Sequence, residues 1–440
     1  MKNKIIGIKG SAIMAGQSDI ALRNQVIYSV FVRNHTEAGT FQALEGDLDR
    51  IQALGADILW LLPIHPIGKE SRKGRQGSPY AIQNYREVNP EYGTKEEFIH
   101  LVEEIHKRDM KCMIDVVYNH TSPDSWLTEH HPEFFYKQED GNRGNKVGDW
   151  SDVVDLDYGN KRLWDYLIET LCMWAEIVDG FRCDVASLVP LEFWIQAREA
   201  VERIRPGCIW LAESVYPEFV RDLRSRNFTA LSDNEVYQAF DITYDYDVED
   251  LKTKYRTGMI PLSTYVDALN LQDCIYPANY IKLRYLENHD QERAKFKFSN
   301  RSDLINWTAF AYFQKGVMLI YAGQERENEH APSLFDYDKV DWNTNYDISL
   351  LLQRLYSIKK KKIVAEGNYF LEVSRNSETV VGTYEQEGQL LVGIFPLNSE
   401  ISNVKVSIPN GNYLNLLDGQ SVEADSGRIR IQGRPVIFEA

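Results

Sequence analysis

Asp184, Glu213 and Asp290 stand at the ends of three apolar runs, within GFRCDVAS at 180–187, WLAESVY at 210–216 and YLENHDQER at 285–293. A fourth run, DVVYNH at 115–120, ends in His120, and Arg182 and His289 lie next to the acids along the chain. If these runs are strands of one parallel barrel, their ends converge on a single point and the three acids share a pocket. Crowded carboxylates repel, which raises the pKa of at least one of them. Two carboxylates of split protonation are what cleavage of a glycosidic bond requires. One attacks or stabilises the sugar cation, and the other stays protonated to release the leaving oxygen.

Each residue also has a plainer reading. Asp184 could simply pair with Arg182, but the arrival of Glu213 and Asp290 at the same level argues against a purely structural pair. Residues two apart on a strand share a face, so Arg182 and Asp184 point into the barrel while Phe181 and Cys183 face outward. Asp115, on the preceding strand, also points inward, and a buried carboxylate needs a partner. Arg182 is available, and Asp115 reads as structural. His120 and His289 each follow an asparagine, and they read as hydrogen-bonding groups for a polar ligand. A zinc site is the competing idea, but the chain has no H-E-x-x-H pattern and no cysteine ligand set. A Gly-rich phosphate loop is also missing.

The elements that must hold these residues alternate. Strand-like runs lie at 26–32, 57–63, 111–117, 180–184, 208–213, 235–242, 281–287 and 316–322. Helical periods fall between them, at 41–55, 98–109, 161–178, 191–203 and 304–314. Eight strands each trailed by a helix make an α/β fold, the eightfold (β/α) TIM barrel, over 1–119 and 158–362. Residues 120–157 carry no helical period and read as a short inserted subdomain over the strand ends. From about Gly367 short strand-like runs with turn signals replace the helices, so 363–440 reads as a C-terminal all-β sandwich.

Composition bounds the partners. The 440 residues carry a formal net charge of −16, which disfavours nucleic acid and anionic membranes and leaves neutral ligands open. The 25 tyrosines and 9 tryptophans offer faces for sugar rings, though a large core accounts for most of them. The five cysteines, Cys112, Cys172, Cys183, Cys208 and Cys274, form no C-x-x-C pattern and are expected to be reduced, which favours the cytoplasm. The start, MKNKIIGIKGSAIMAG, is broken by Gly7, Lys9 and Gly10 and does not read as a secretory segment. Nowhere does an apolar run approach the ~20 residues of a membrane span.

With these residues in view, the chain resembles the α-amylase superfamily of glycoside hydrolases over about residues 26–440. DVVYNH, GFRCDVAS, AES and ENHD look like its four signature regions, supported by PIHP at 63–66, SPYAIQNYREVNPEYG at 78–93, LIYAGQE at 319–325 and Asp341-Trp342. The resemblance implies a retaining hydrolase of α-1,4-linked maltodextrins or starch-like glucans. Asp184 would be nucleophile, Glu213 general acid/base and Asp290 the aspartate that grips sugar hydroxyls. Arg182 would orient Asp184, His120 and His289 would bind the sugar at the cleavage point, and Tyr80 would stack beneath it. The chain departs from typical α-amylases at Ser187-Leu188, where they carry Lys-His, and Val185-Ala186 is closer to the neopullulanase pattern. Asn119 matches a family calcium ligand, but the short insertion and the altered residues after Asp184 lead to the expectation of no metal and no required cofactor. A transglycosidase, an α-1,6-, trehalose- or sucrose-acting relative and a catalytically silent binding subunit are the alternatives. Oligomeric state is not legible.

Overall fold

A computed structural model describes residues 18–375 and 377–440. The reading of the first residues as non-secretory lies outside the described residues.

The described chain closes eight parallel strands into a barrel in sequential order. The strands are Val26–Val30, Ile58–Leu61, Lys111–Val116, Gly180–Cys183, Ile209–Ala212, Ile242–Tyr244, Ile281–Arg284 and Val317–Tyr321, referred to below as barrel strands one to eight. Strand two, Ile-Leu-Trp-Leu, is buried at every position, as expected where helices cover the outside and side chains fill the inside. The helices between strands begin at identifiable caps. Thr94 and Glu97 form a reciprocal capping box at the start of Lys95–His106, and the Asn160 and Asn300 side chains each accept a backbone N–H at the starts of Lys161–Ala175 and Arg301–Phe313.

One strand expectation is corrected. The run 235–242 is not the sixth strand. Its beginning belongs to a short helix, Asp233–Val236, and the strand follows at Ile242–Tyr244. The cause is local: the Glu235 carboxylate accepts the Ser232 backbone N–H and hydroxyl, both at 2.7 Å, which nucleates a helical turn where apolar content alone suggests extension. The insertion also holds more structure than its composition implies. It contains a helical turn at Trp126–His130 and an antiparallel ribbon pairing His120–Thr121 with Val154–Asp155.

After a last helix, Lys362–Glu366, two four-stranded antiparallel sheets enclose a second core around Val381, Ile394, Val404, Ile429 and Phe438. The first of these sheets packs directly on the barrel helix Arg301–Phe313. Gly382 and Gly393 face each other in register, and the Phe313 ring occupies the space that their side chains would need. A Cβ at Gly382 would come within 2.5 Å of that ring. The pair of glycines is thus what allows the sheet to seat against the barrel.

Candidate active site

All seven residues singled out by the sequence lie at the carboxyl end of the barrel. Asp115 and Arg182 stand opposite each other on strands three and four, both fully buried. The Arg182 Nη1 donates to both oxygens of Asp115, at 2.9 and 3.1 Å, and to Asp184 Oδ1 at 2.9 Å. Its Nη2 lies 3.0 Å from Glu213 Oε2. One guanidinium thus bridges three carboxylates, and the rings of Trp60, Tyr80 and Tyr244 surround it at 5.3–5.7 Å. A planar cation with five fixed donors suits this task, whereas a lysine would satisfy fewer of the oxygens.

Asp290 belongs to a second group. His289 Nε2 sits 3.1 Å from Asp290 Oδ2 and 2.6 Å from the Tyr80 hydroxyl, and the Tyr80 and His289 rings stack 5.4 Å apart at 10°. Tyr80 also donates to Asp115 Oδ2 at 3.1 Å, which joins the two groups. His120 completes the floor, with Nε2 3.8 Å from Asp184 Oδ2.

These environments separate the protonation states. Burial pushes the Glu213 carboxyl up to about 7, and Asp184 and Asp290 add to the rise against the pull of Arg182. Burial also lifts Asp184 and Asp115, each to about 6. Asp290 moves the other way: burial would raise it, but the neighbouring His289 holds it below the ordinary carboxylate value. His289 is raised in turn, the Asp290 carboxylate overcoming burial, while burial lowers His120 to about 4 and keeps it neutral. With one arginine among three buried acids, the group holds a proton to higher pH than free carboxylates do, and burial raises Glu213 the furthest.

The site opens into a cavity of about 410 Å³ lined by Tyr80, His120, Asp184, Glu213 and Asp290. Arg182 and His289 lie behind this lining. Several wall residues carry no chemistry-grade signal in the sequence: Lys73, Trp150, Val215, Tyr216, Phe219 and Tyr246. Tyr216 and Tyr246 stack at 4.6 Å, a pairing legible only once strands five and six are adjacent. Val185 was also missed. It holds φ +35° and ψ +45°, a left-handed conformation that is an outlier for a β-branched residue and costs ~1–3 kcal/mol. The turn aims the Val185 N–H at Glu213 Oε2, 2.7 Å away.

Beside the floor, Asn119 faces Asp155 Oδ1 at 3.4 Å and His120 Nδ1 at 3.2 Å. Asp155 Oδ2 accepts the Lys146 backbone N–H at 2.8 Å and lies 3.9 Å from the Lys146 ammonium. Asp155 is therefore engaged by backbone and ammonium groups of Lys146, and Asn160 caps the following helix. These residues do not fit a calcium ion, which needs 6–8 oxygen ligands, because a protein cation already faces the acid.

Comparison with known proteins agrees with the architecture. The model of the alpha-amylase catalytic domain matches residues 25–364, and that of the bacterial alpha-amylase C-terminal domain matches residues 370–438. The chain belongs to the α-amylase family. The crystal structure of an alpha-amylase from Lactobacillus plantarum superposes with a TM-score of 0.94 at 47% identity, covering 96% of this chain and 100% of that one. A noncanonic maltogenic alpha-amylase from Thermotoga neapolitana gives a TM-score of 0.85 at 34% identity, covering 95% and 99%. An alpha-1,4-glucan:maltose-1-phosphate maltosyltransferase from Rhodospirillum rubrum is 29% identical over 355 residues, which is 73% of this chain and 48% of that protein. The chain spans about half the length, or less, of the first curated relatives it matches.

Proposed function

We propose that this α-amylase-family enzyme hydrolyses α-1,4 links of maltodextrins with retention of configuration. The observation that carries the reading is the single Arg182 bridging Asp184 and Glu213, with the higher pKa on Glu213. In the first step the Asp184 carboxylate attacks the anomeric carbon while Glu213 gives its proton to the glycosidic oxygen, and the C–O bond to the leaving sugar breaks. In the second step the Glu213 carboxylate takes a proton from water, whose oxygen displaces Asp184 and restores both acids. Asp290 and His120 hold the sugar that becomes attached, with Tyr80 beneath it and His289 behind them, bonded to Tyr80 and Asp290. Two carboxylates sharing one guanidinium suit the ~5–5.5 Å spacing of retaining enzymes better than the ~6.5–9.5 Å of inverting ones. Proton NMR of maltoheptaose digestion should show α-anomer released first, and initial β-anomer would overturn the mechanism.

Transfer to a sugar acceptor is the second reading. Val215, Tyr216, Phe219 and Tyr246 make the wall beyond Glu213 apolar and aromatic. Such a wall favours a sugar ring over loosely held water. A maltosyltransferase also stands among the relatives. Product analysis on maltoheptaose with and without added maltose separates the two readings: transfer would give products longer than the substrate.

The pH profile should follow the acid. As pH rises through the Glu213 pKa of about 7, the proton donor is lost and kcat/KM falls. The decline should begin near neutrality with glucan substrates. An alkaline limb that begins only above ~pH 9, on the approach to the ordinary tyrosine and lysine values of about 10, would refute the assignment.

Two further features belong to this reading. The ammonium of Lys146 replaces a structural calcium at Asp155, so EDTA should leave activity and Tm unchanged. A fall of a few degrees in EDTA, restored by calcium and not by magnesium, would disprove this. The enzyme acts in the cytoplasm, supported by its five free cysteines, three of them buried. No helix among the described residues is long and apolar enough to cross a membrane.

A further inference from the structure

The cavity is walled differently at its two ends. Glu213, on strand five, must face the oxygen of the leaving sugar, so that sugar lies among Val215, Tyr216 and Tyr246, from the loops after strands five and six. The retained sugar lies on the opposite side, over Tyr80 and against Asp290. In an α-1,4 chain the anomeric carbon under attack belongs to the sugar nearer the non-reducing end. The Tyr80 side therefore receives the non-reducing end of the substrate.

The loop that carries Tyr80 belongs to a continuous band of chain. The loop after strand two bonds to the loop after strand eight: the backbone N–H groups of Gln76 and Gly77 both donate to the Phe335 carbonyl, at 2.9 and 3.2 Å, and the Arg75 N–H donates to Asp336 Oδ1 at 2.9 Å. Gly74 lies so close that a Cβ there would meet Phe335 at 2.6 Å. From below, the buried Arg33 guanidinium donates to the carbonyls of Gly77 at 3.1 Å and Leu334 at 3.4 Å. In the other direction Lys73 reaches the inserted subdomain, its ammonium 2.9 Å from the largely buried Asp152 carboxylate and 3.3 Å from the Asp149 carbonyl. Lys73, Asp152 and Phe335 all line the cavity itself.

We propose that this band, closed by the Lys73–Asp152 ion pair, is a barrier at the non-reducing end of the cleft, so that the enzyme removes short products from chain ends and does not cut within long chains. The inference rests on the reading of the protein as an α-1,4-glucan hydrolase. Cross-bonding makes the three loops an obstacle, because moving them apart leaves the buried Arg33 guanidinium and the buried Asp152 carboxylate short of partners. A linear chain longer than the space between Asp184 and the band cannot pass through it. A cavity of about 410 Å³ is near the lower end of the ~300–1,000 Å³ of ordinary ligand pockets and suits a short oligosaccharide.

The test compares p-nitrophenyl α-maltoheptaoside with the same compound blocked at its non-reducing end by a 4,6-ethylidene group. The intact enzyme should cleave the free substrate at least about tenfold faster in kcat/KM, the lower end of what excluding one small group achieves. Equal cleavage of the two would overturn the barrier while leaving glucan hydrolysis intact. Failure to cleave either would overturn the hydrolase reading and the barrier with it. Lys73→Ala should bring the blocked-to-free ratio at least about threefold closer to one, about half of that discrimination on a logarithmic scale. A folded Lys73→Ala with the same ratio as the intact enzyme would remove the ion pair from the proposal and overturn it in this form.

Discussion

Glu213→Gln should lower kcat on maltoheptaose by at least ~10²–10⁴-fold, the contribution of a positioned acid/base group, and Asp184→Asn should lose as much or more. Neither change should prevent folding. The amide introduced by Glu213→Gln keeps an oxygen facing the Val185 N–H, and the amide introduced by Asp184→Asn keeps an oxygen facing Arg182. Asp184→Asn also removes negative charge from a place where three acids compete for one cation, which relieves repulsion, and Glu213→Gln replaces a protonated acid by a neutral group of the same shape. The two variants should differ with α-maltosyl fluoride, whose leaving group needs no proton. Attack on this substrate should be largely restored in Glu213→Gln and not in Asp184→Asn. If either variant kept near-normal turnover on maltoheptaose, or if both responded alike to the fluoride, the division of roles between them would be wrong.

Arg182→Met should cost stability on the same scale that it costs activity. The substitution fills similar volume with apolar atoms but leaves Asp115, Asp184 and Glu213 buried without their shared cation, and breaking a buried pair from one side costs ~3–5 kcal/mol. The sign of the pH dependence follows from the raised pKa values. A carboxyl whose folded pKa exceeds its unfolded value binds more protons when folded, so stability is retained below the unfolded pKa near ~4 and lost as pH rises through the folded one. In the intact protein that window runs from there to about 6 for Asp115 and Asp184 and about 7 for Glu213. Removing Arg182 takes away the cation that does most to hold these values down, so the window must widen upward. Urea unfolding should therefore show a small deficit for Arg182→Met at pH 5 and a larger one at pH 8, and adding Asp115→Asn should recover part of it. Equal deficits at the two pH values would mean that Arg182 acts through packing on Trp60, Tyr80 and Tyr244 and not through charge.

How much of this was legible before folding depends on the range of the physics involved. Strand two is four consecutive buried apolar residues, and the helices at 95–106 and 161–175 begin at caps written in three or four letters. Such features are set by neighbours along the chain, and a sequence displays them directly. The three acids, the arginine and the two histidines were legible for the same reason. Each sits at the end of an apolar run, and a parallel barrel has only one end at which such residues can meet. The sixth strand was misplaced because a capping box and an apolar run overlap there, and the hydrogen bonds of Ser232 and Glu235 outweighed the apolar pattern.

Other features depend on contacts between distant segments. Nothing in the letters around Val185 announces a left-handed turn, because the strain is held by Glu213, 28 residues away. Nor do the letters around Asp155 announce that the fold sets Lys146 against it. The sequence gives no sign of a partner for Lys73, and only the fold brings it to Asp152 at the cavity lining. The sequence by itself thus determined which groups could do the chemistry, because their type and strand-end position are local facts. The tertiary structure alone decided how deeply each of them is buried, where a lysine faces a buried acid and which loops meet beside the cavity, because burial and cross-loop pairing exist only once segments far apart in the chain are in contact.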